Sequence, residues 1–231
     1  MYLTQALHRA AQQHPDRIAV RYGDRQVSFR RMIDRVARLA GALQELGTQI
    51  GDRVAILSLN SDRYLEYQMA VPWGGGVLNP CNIRWSAAEI LYSLDDSGST
   101  ILLVDETFRP LAEQFRRDAR TLREIVYCGD GDVPQGMRGY ESMIANAEPV
   151  PDALRRGEDL AGIFYTGGTT GFDAQPHQLV QLSPGLAGRR RRLARRHLPA
   201  RRADVPPGRH GLRDGALVRG QYPLHHSSLQ A

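Results

Sequence analysis

The residues best suited to chemistry form one short run, Tyr165-Thr166-Gly167-Gly168-Thr169-Thr170-Gly171-Phe172, in which three glycines are interleaved with three threonines. Glycines let backbone N–H groups converge on an oxyanion without side-chain clash. Threonine hydroxyls add donors or hold a magnesium ion that accompanies phosphate. The apolar stretch Ala161-Gly162-Ile163-Phe164 comes directly before, so the run leaves the carboxyl end of a predicted strand. Taken alone, such a string is more often a flexible surface turn, and a Walker loop would require Gly-Lys-Ser/Thr, which is missing. Lysine is absent altogether, because all 30 residues counted as Lys+Arg are arginine. A Schiff base, a lysine phosphate clamp and a lysine general acid are therefore closed to this polypeptide. Cys81 and Cys128 share no metal or redox spacing and read as core thiols.

The elements that must position this run alternate short apolar strands with amphipathic helices, which predicts an α/β fold with an open, mostly parallel sheet flanked by helices. Ser28 is placed as an N-cap for a helix carrying Phe29, Met32, Ile33, Val36, Leu39, Ala40 and Leu43, which stops at Gly47. A strand Val54–Leu59 follows the Gly51-Asp52 turn, and a helix from Asp62 ends at Val71, before Pro72 and the reversal at Gly74–Gly76. Ser86 and Glu89 have capping-box spacing, with Ile90, Leu91 and Leu94 as the apolar stripe, and Asp96-Ser97-Gly98 launches a strand Thr100–Val104. Phe108, Leu111, Ala112 and Phe115 share a helix face before the strand Glu124–Cys128, and a polar stretch leads to the strand Gly162–Tyr165. Strand order is not fixed by this pattern. Trp73 and Trp85, at element ends, read as packing residues without a chemical role.

Charge divides the chain at Phe172. Nineteen arginines face 22 carboxylates up to that point, and 11 face only Asp173, Asp204 and Asp214 beyond it. The last part also holds five of the seven histidines, six prolines, six glycines and one aromatic residue, Tyr222, too little apolar material for a core. No apolar run approaches the roughly 20 residues of a membrane span, and the N-terminus lacks the plan of a secretory signal, so the expected location is cytoplasmic.

The loop resembles the phosphate-binding motif of the adenylate-forming superfamily, the AMP-forming acyl-CoA synthetases, usually Tyr-Thr-Ser-Gly-Thr-Thr-Gly-x-Pro-Lys-Gly, with Gly167 where serine is usual. Upstream, Gly51-Asp52-Arg53-Val54-Ala55-Ile56 and Asn60-Ser61 resemble the family's first strand–helix segment. Asn79-Pro80, Asn82-Ile83-Arg84, Glu89-Ile90, Tyr92, Leu94 and Asp96-Ser97 resemble the next. Residues 2–172 thus look like a partial AMP-binding N-terminal domain, the first third of a fatty-acid–CoA ligase. The resemblance implies that a carboxylic acid attacks the α-phosphate of ATP to give acyl-AMP, and that the coenzyme A thiol then displaces AMP. It further implies that Thr166, Thr169, Thr170 and the amides of Gly167, Gly168 and Gly171 hold the β- and γ-phosphates with Mg²⁺.

After Phe172 the pattern breaks. The family's Pro-Lys-Gly is replaced by Asp173-Ala174-Gln175, which removes a cation and adds an anion beside the site. The family's later Tyr-Gly-x-Thr-Glu motif, its ribose aspartate and its C-terminal domain with a catalytic lysine have no counterpart, so no catalytic residue is assigned. Codons for Asp173–Val180, read one nucleotide out of register, permit Met-Leu-Ser-His-Thr-Asn-Leu, which the family places just after Pro-Lys-Gly-Val. The same shift over Ala203–His210 permits Pro-Met-Phe-His-Leu-Ala-Asp-Met, which resembles its Pro-x-Phe-His motif. The expectation is a truncated, frameshifted ligase fragment, inactive by itself, with residues 173–231 a poorly ordered Arg/Pro/Gly-rich tail.

The alternative is a noncatalytic protein that uses the residual loop for nucleotide or the runs Arg189–Arg192, Arg195-Arg196 and Arg201-Arg202 for nucleic acid. Specific nucleic-acid recognition is not expected, since the runs have no interleaved aromatics and match no known module. His210, His225 and His226 have no thiol or carboxylate partners at ligand spacing, so no metal site is assigned. The acid's identity and the oligomeric state are not legible.

Overall fold

The computed structural model describes residues 2–166 and the strand 178–182. The chain begins with α1 (Gln5–Gln13), a hairpin of β1 (Ile18–Tyr22) and β2 (Arg25–Ser28), and α2 (Phe29–Glu45). Gly23, at φ +55°, turns the hairpin. Ser28 caps α2 by accepting from the Arg31 N–H, and Met32, Val36, Leu39, Ala40 and Leu43 form its buried stripe, as the spacing predicts. Alternation then continues through β3 (Arg53–Leu57), α3 (Asp62–Trp73), β4 (Val77–Pro80), α4 (Ala87–Ser97) and β5 (Ser99–Val104). After a short 3-10 turn come α5 (Ala112–Asp118), β6 (Glu124–Tyr127), β7 (Arg138–Gly139), α6 (Tyr140–Asn146), β8 (Gly162–Thr166) and β9 (Gln178–Leu182).

The main sheet has the order β7-β6-β5-β3-β4-β8-β9, with every neighbouring pair parallel except β8 with β9. Side chains alternate across it, so Val54, Ile56, Ile101, Leu103 and Val126 meet α2, α3 and α6, while Ala55, Leu57, Leu102, Val104 and Ile125 meet α4 and α5. Each fully buried leucine or isoleucine in these two cores contributes about 1.5–3 kcal/mol over an exposed one. Chain direction along the sheet reverses after β4. The carboxyl ends of β3 and β5 therefore lie side by side and send their connections in opposite directions, which makes a topological switch point.

The predicted elements are found, with informative departures. The helix expected to end at Val71 runs on to Trp73. Pro72 sits in its last turn, where it cannot donate to the carbonyl four residues back, and the helix ends one residue later; Gly74, Gly75 and Gly76 donate to the carbonyls of Ala70, Pro72 and Val71 at 2.9, 3.1 and 2.8 Å. The Ser86–Glu89 capping box is present, and Gly98 ends α4 in the left-handed conformation. The pattern misses α1, the β1–β2 hairpin, α6, and β4 and β7, strands too short to show a period. Within 173–231, expected to be poorly ordered, the structure describes one strand. Gln178-Leu179-Val180-Gln181-Leu182 pairs antiparallel with all five residues of β8, satisfying backbone groups that an edge strand would leave open. The rest of that segment, with its basic runs and His210, His225 and His226, lies outside the described residues.

Candidate phosphate-binding site

Thr166 is the last residue of β8, at its carboxyl end, and Gly167, Gly168, Thr169, Thr170 and Gly171 lie outside the described residues. The strand that delivers them is built from a close approach. A Cβ on Gly162 would stand 3.2 Å from the Leu78 carbonyl oxygen and 2.6 Å from a Phe164 ring carbon, so a larger residue would need the Phe164 ring to move and the strands to ease apart slightly. Carboxyl ends of strands in an open α/β sheet are where loops leave to meet ligands.

Tyr165 is fixed beside the loop's first residue. Its Oη donates to Asp96 Oδ2 at 2.7 Å, its ring meets Trp85 edge-on at 6.2 Å, and Tyr92 also hydrogen-bonds Asp96. Burial, then the Asp96 hydrogen bond and charge, push the Tyr165 phenol far above the usual tyrosine range, so it remains a donor. Asp96 and Tyr92 were not singled out by sequence as neighbours of the loop. Their spacing on α4, four residues apart, is the only local signal, and which strand they face is a tertiary fact. Trp85, assigned no role, packs against the loop's strand. Trp73 is buried, with Nε1 donating to the Val150 carbonyl at 2.8 Å, a packing residue as expected.

Trp85 follows a tight turn in which Asn82 Oδ1 accepts from the Arg84 N–H at 3.0 Å, and Ser86 then opens α4. Cys81 follows β4, and Cys128 follows β6. Both are buried free thiols that burial pushes up to about 12, which suits core residues and not nucleophiles.

The switch point itself is closed by the protein. The buried Asp105 carboxylate accepts from Ser58 Oγ at 3.1 Å and from the N–H groups of Leu59, Thr107 and Phe108 at 2.7, 3.0 and 3.2 Å. An anion would find its donors already taken, so the carboxyl end of β8 is the better candidate. Arginines around β6 are also committed. Arg63 binds the Cys128 carbonyl, Asp130 and Glu141, and Arg35 forks onto both Glu66 and Glu141. Arg25 forks onto Asp62 and reaches Asp130. This network joins the hairpin, α2, α3 and α6 and offers no spare cation to a ligand. Among the described residues, no three His, Cys, Asp or Glu side chains cluster to hold a metal, and no helix is long and apolar enough to cross a membrane.

A family model described as AMP-binding enzyme matches residues 7–172. A long-chain-fatty-acid–CoA ligase of Thermus thermophilus is 37% identical over 148 residues, covering 64% of this chain and 27% of the relative. The peroxisomal acetate/butyrate–CoA ligase AAE7 of Arabidopsis thaliana is 40% identical over 185 residues, covering 71% and 32%. The crystal structure of the anthranilate CoA ligase AuaEII in complex with anthranoyl-AMP superposes with a TM-score of 0.73 at 24% identity, over 80% of this chain and 35% of that one. The chain therefore spans about a third or less of these relatives, and its sheet is that of the N-terminal part of the adenylate-forming fold. With the match running without a break from α1 into the Gly/Thr loop, the chain belongs to the AMP-binding enzyme family.

Proposed function

We propose that this chain carries the triphosphate-holding part of an AMP-forming acid–CoA ligase and does not turn over by itself. The observation that carries the reading is Thr166 at the carboxyl end of β8, the point at which the family match enters the loop. In the reaction proposed for the whole ligase, a carboxylate oxygen bonds to the α-phosphorus of ATP and pyrophosphate leaves. The coenzyme A thiol then bonds to the acyl carbon and AMP leaves. The relatives' names span long-chain fatty acids and acetate or butyrate, so the substrate class is a carboxylic acid of unassigned length.

The donor set fits a phosphate chain: hydroxyls of Thr166, Thr169 and Thr170, and amides of Gly167, Gly168 and Gly171. Bound Mg²⁺ would neutralise phosphate charge, and the threonine hydroxyls are the groups suited to orient it. These residues bind and position, and each well-placed donor of this kind contributes on the order of 10²–10³ in rate.

What opposes turnover is charge. Ala174 stands where the family has lysine, Asp173 adds a carboxylate, and none of the 231 residues is a lysine. A carboxylate about 5 Å from a phosphate oxygen costs about 1–3 kcal/mol at effective dielectrics between 80 and 20. A one-nucleotide shift after Phe172 accounts for this break and for the arginine-rich composition beyond it, and the reading of the coding DNA through codon 173 tests that. The functional test is acid-dependent exchange of labelled pyrophosphate into ATP, with acetate, butyrate and palmitate as acids. No exchange above the protein-free blank is expected. Exchange at rates ordinary for a ligase, about 1 s⁻¹ or more, would overturn the reading.

A further inference from the structure

Residues 147–161, between α6 and β8, form a strap that carries the chain from one side of the sheet to the other. From β7 to β8 there are five inter-strand steps, about 24 Å at about 4.8 Å each. Roughly 15 extended residues reach about 50 Å, so the strap is far from taut and its length does not decide where β8 sits. Nor does the parallel ladder. Among the described residues β8 is in register with β4 only at Leu78 and Gly162, with the Leu78 N–H donating to the Ala161 carbonyl at 3.1 Å, whereas β3 and β5 pair along their whole length.

The strap is instead pinned at points. Arg38 Nη1 donates to the Ala147 carbonyl at 2.8 Å, the Val150 N–H to the Ala37 carbonyl at 3.2 Å, and the Ala153 N–H to the Trp73 carbonyl at 2.8 Å. The densest pin is Asp152, whose side chain is 4% exposed. It accepts from Thr4 Oγ1, sits 2.8 Å from His8 Nε2, and takes the Leu154 N–H at 2.8 Å. Three features single it out. Thr4 stands at the N-cap of α1, yet its side chain makes no cap bond and turns to Asp152. His8 stacks on Trp73 with ring centroids 4.7 Å apart, so the clasp also grips α3. Leu154 has φ +51°, a left-handed conformation that disfavours leucine and persists where its surroundings impose it.

We propose that Asp152 is a positioning residue for β8: through Thr4 and His8 it anchors the strap to α1 and so sets where the strand, and with it Thr166 at its carboxyl end, stands against β4. Its significance for ATP rests on reading the Gly/Thr loop as the phosphate holder, but the placement of β8 does not.

The two tryptophans report the two ends of this path. Trp73 touches the clasp, whereas Trp85 meets Tyr165 on β8. The test is ¹H–¹⁵N NMR on the full chain, comparing wild type with Asp152→Ala and Asp152→Asn. The expected result for Asp152→Ala is a shift of both indole N–H signals and at least tenfold faster hydrogen exchange at Ile163–Thr166, with β3 and β5 amides unchanged. Asp152→Asn, which keeps one oxygen for the Leu154 N–H but turns an NH2 towards Thr4 and His8, should lie between Asp152→Ala and wild type. Should Asp152→Ala not fold, His8→Ala removes one partner only and should shift Trp85 and speed exchange at Ile163–Thr166 by a smaller factor, Trp73 being no reporter there because it loses its stacked ring. A change confined to Trp73, or exchange that accelerates equally in every strand, would overturn the proposal. No nucleotide is present in these measurements, so failure of the ligase reading would leave their outcome intact.

Discussion

Replacing Tyr67 with phenylalanine removes one oxygen from the middle of the fold and leaves the ring volume unchanged. The side chain is fully buried between α3 and the sheet, its Oη donating to the Val54 carbonyl at 2.8 Å and accepting from the Asn79 N–H at 3.0 Å. That hydroxyl therefore serves as a ladder partner for β4, which is only four residues long. Burial holds its phenol well above the usual range, so it stays protonated and donating across the working pH range. Without it, the Asn79 N–H keeps only its place in the β3–β4 ladder and loses the hydroxyl acceptor, and the Val54 carbonyl loses the hydroxyl donor, each bond being worth about 0.5–1.5 kcal/mol. The expected loss is about 1–3 kcal/mol, or a fall in Tm of roughly 2–12 °C for a chain of this size. Urea unfolding followed by circular dichroism should show a lower midpoint at an unchanged slope. A loss below about 0.5 kcal/mol would refute the reasoning, because the hydroxyl would then add nothing to the β3–β4 ladder it bridges.

Gly41→Ala places a methyl in a helix interior, where propensity alone would stabilise by about 1 kcal/mol. Here the Cβ would stand 2.3 Å from the Glu148 carbonyl oxygen, so a net loss of about 1–3 kcal/mol is expected in thermal melts, and a gain would contradict the close approach of strap and helix. Acid should unfold the protein through its arginine–carboxylate network. Burial works to raise the Asp62 and Glu141 carboxyls, but hydrogen bonds and charge from Arg25, and from Arg35 and Arg63, outweigh it and hold both low. Their stabilisation is complete above the unfolded carboxyl range and is lost as pH falls through the depressed folded values. Urea midpoints should therefore be level from about pH 8 to 5 and fall below about pH 4. A midpoint unchanged at about pH 3 would contradict it. Asp173→Pro combined with Ala174→Lys restores the family's charge beside the loop and should tighten ATP·Mg²⁺ binding about tenfold by titration calorimetry. Unchanged affinity would remove the electrostatic explanation for inactivity.

Local chemistry announces itself locally, which is why certain parts were legible. Ser28 with its stripe to Leu43, the Ser86–Glu89 box and Gly98 are each satisfied within a turn or two of helix, so their residue types suffice. β4 and β7 were not legible, since a strand of four or two residues has no period and exists only because a neighbour pairs with it. Nothing in the composition of the basic tail announces a strand, yet residues 178–182 pair because β8 offers an open edge.

The amino-acid sequence alone determined the α/β class, the helix boundaries set by caps and the absence of any lysine, because each depends on side-chain chemistry or short-range spacing. The tertiary structure decided the strand order, the closing of the switch point by Asp105, the pairing of Asp96 with Tyr165, and the Asp152 clasp on Thr4 and His8. Those contacts join residues 46 to 148 positions apart, and only the packing of helices on both faces of one sheet brings them within hydrogen-bond reach.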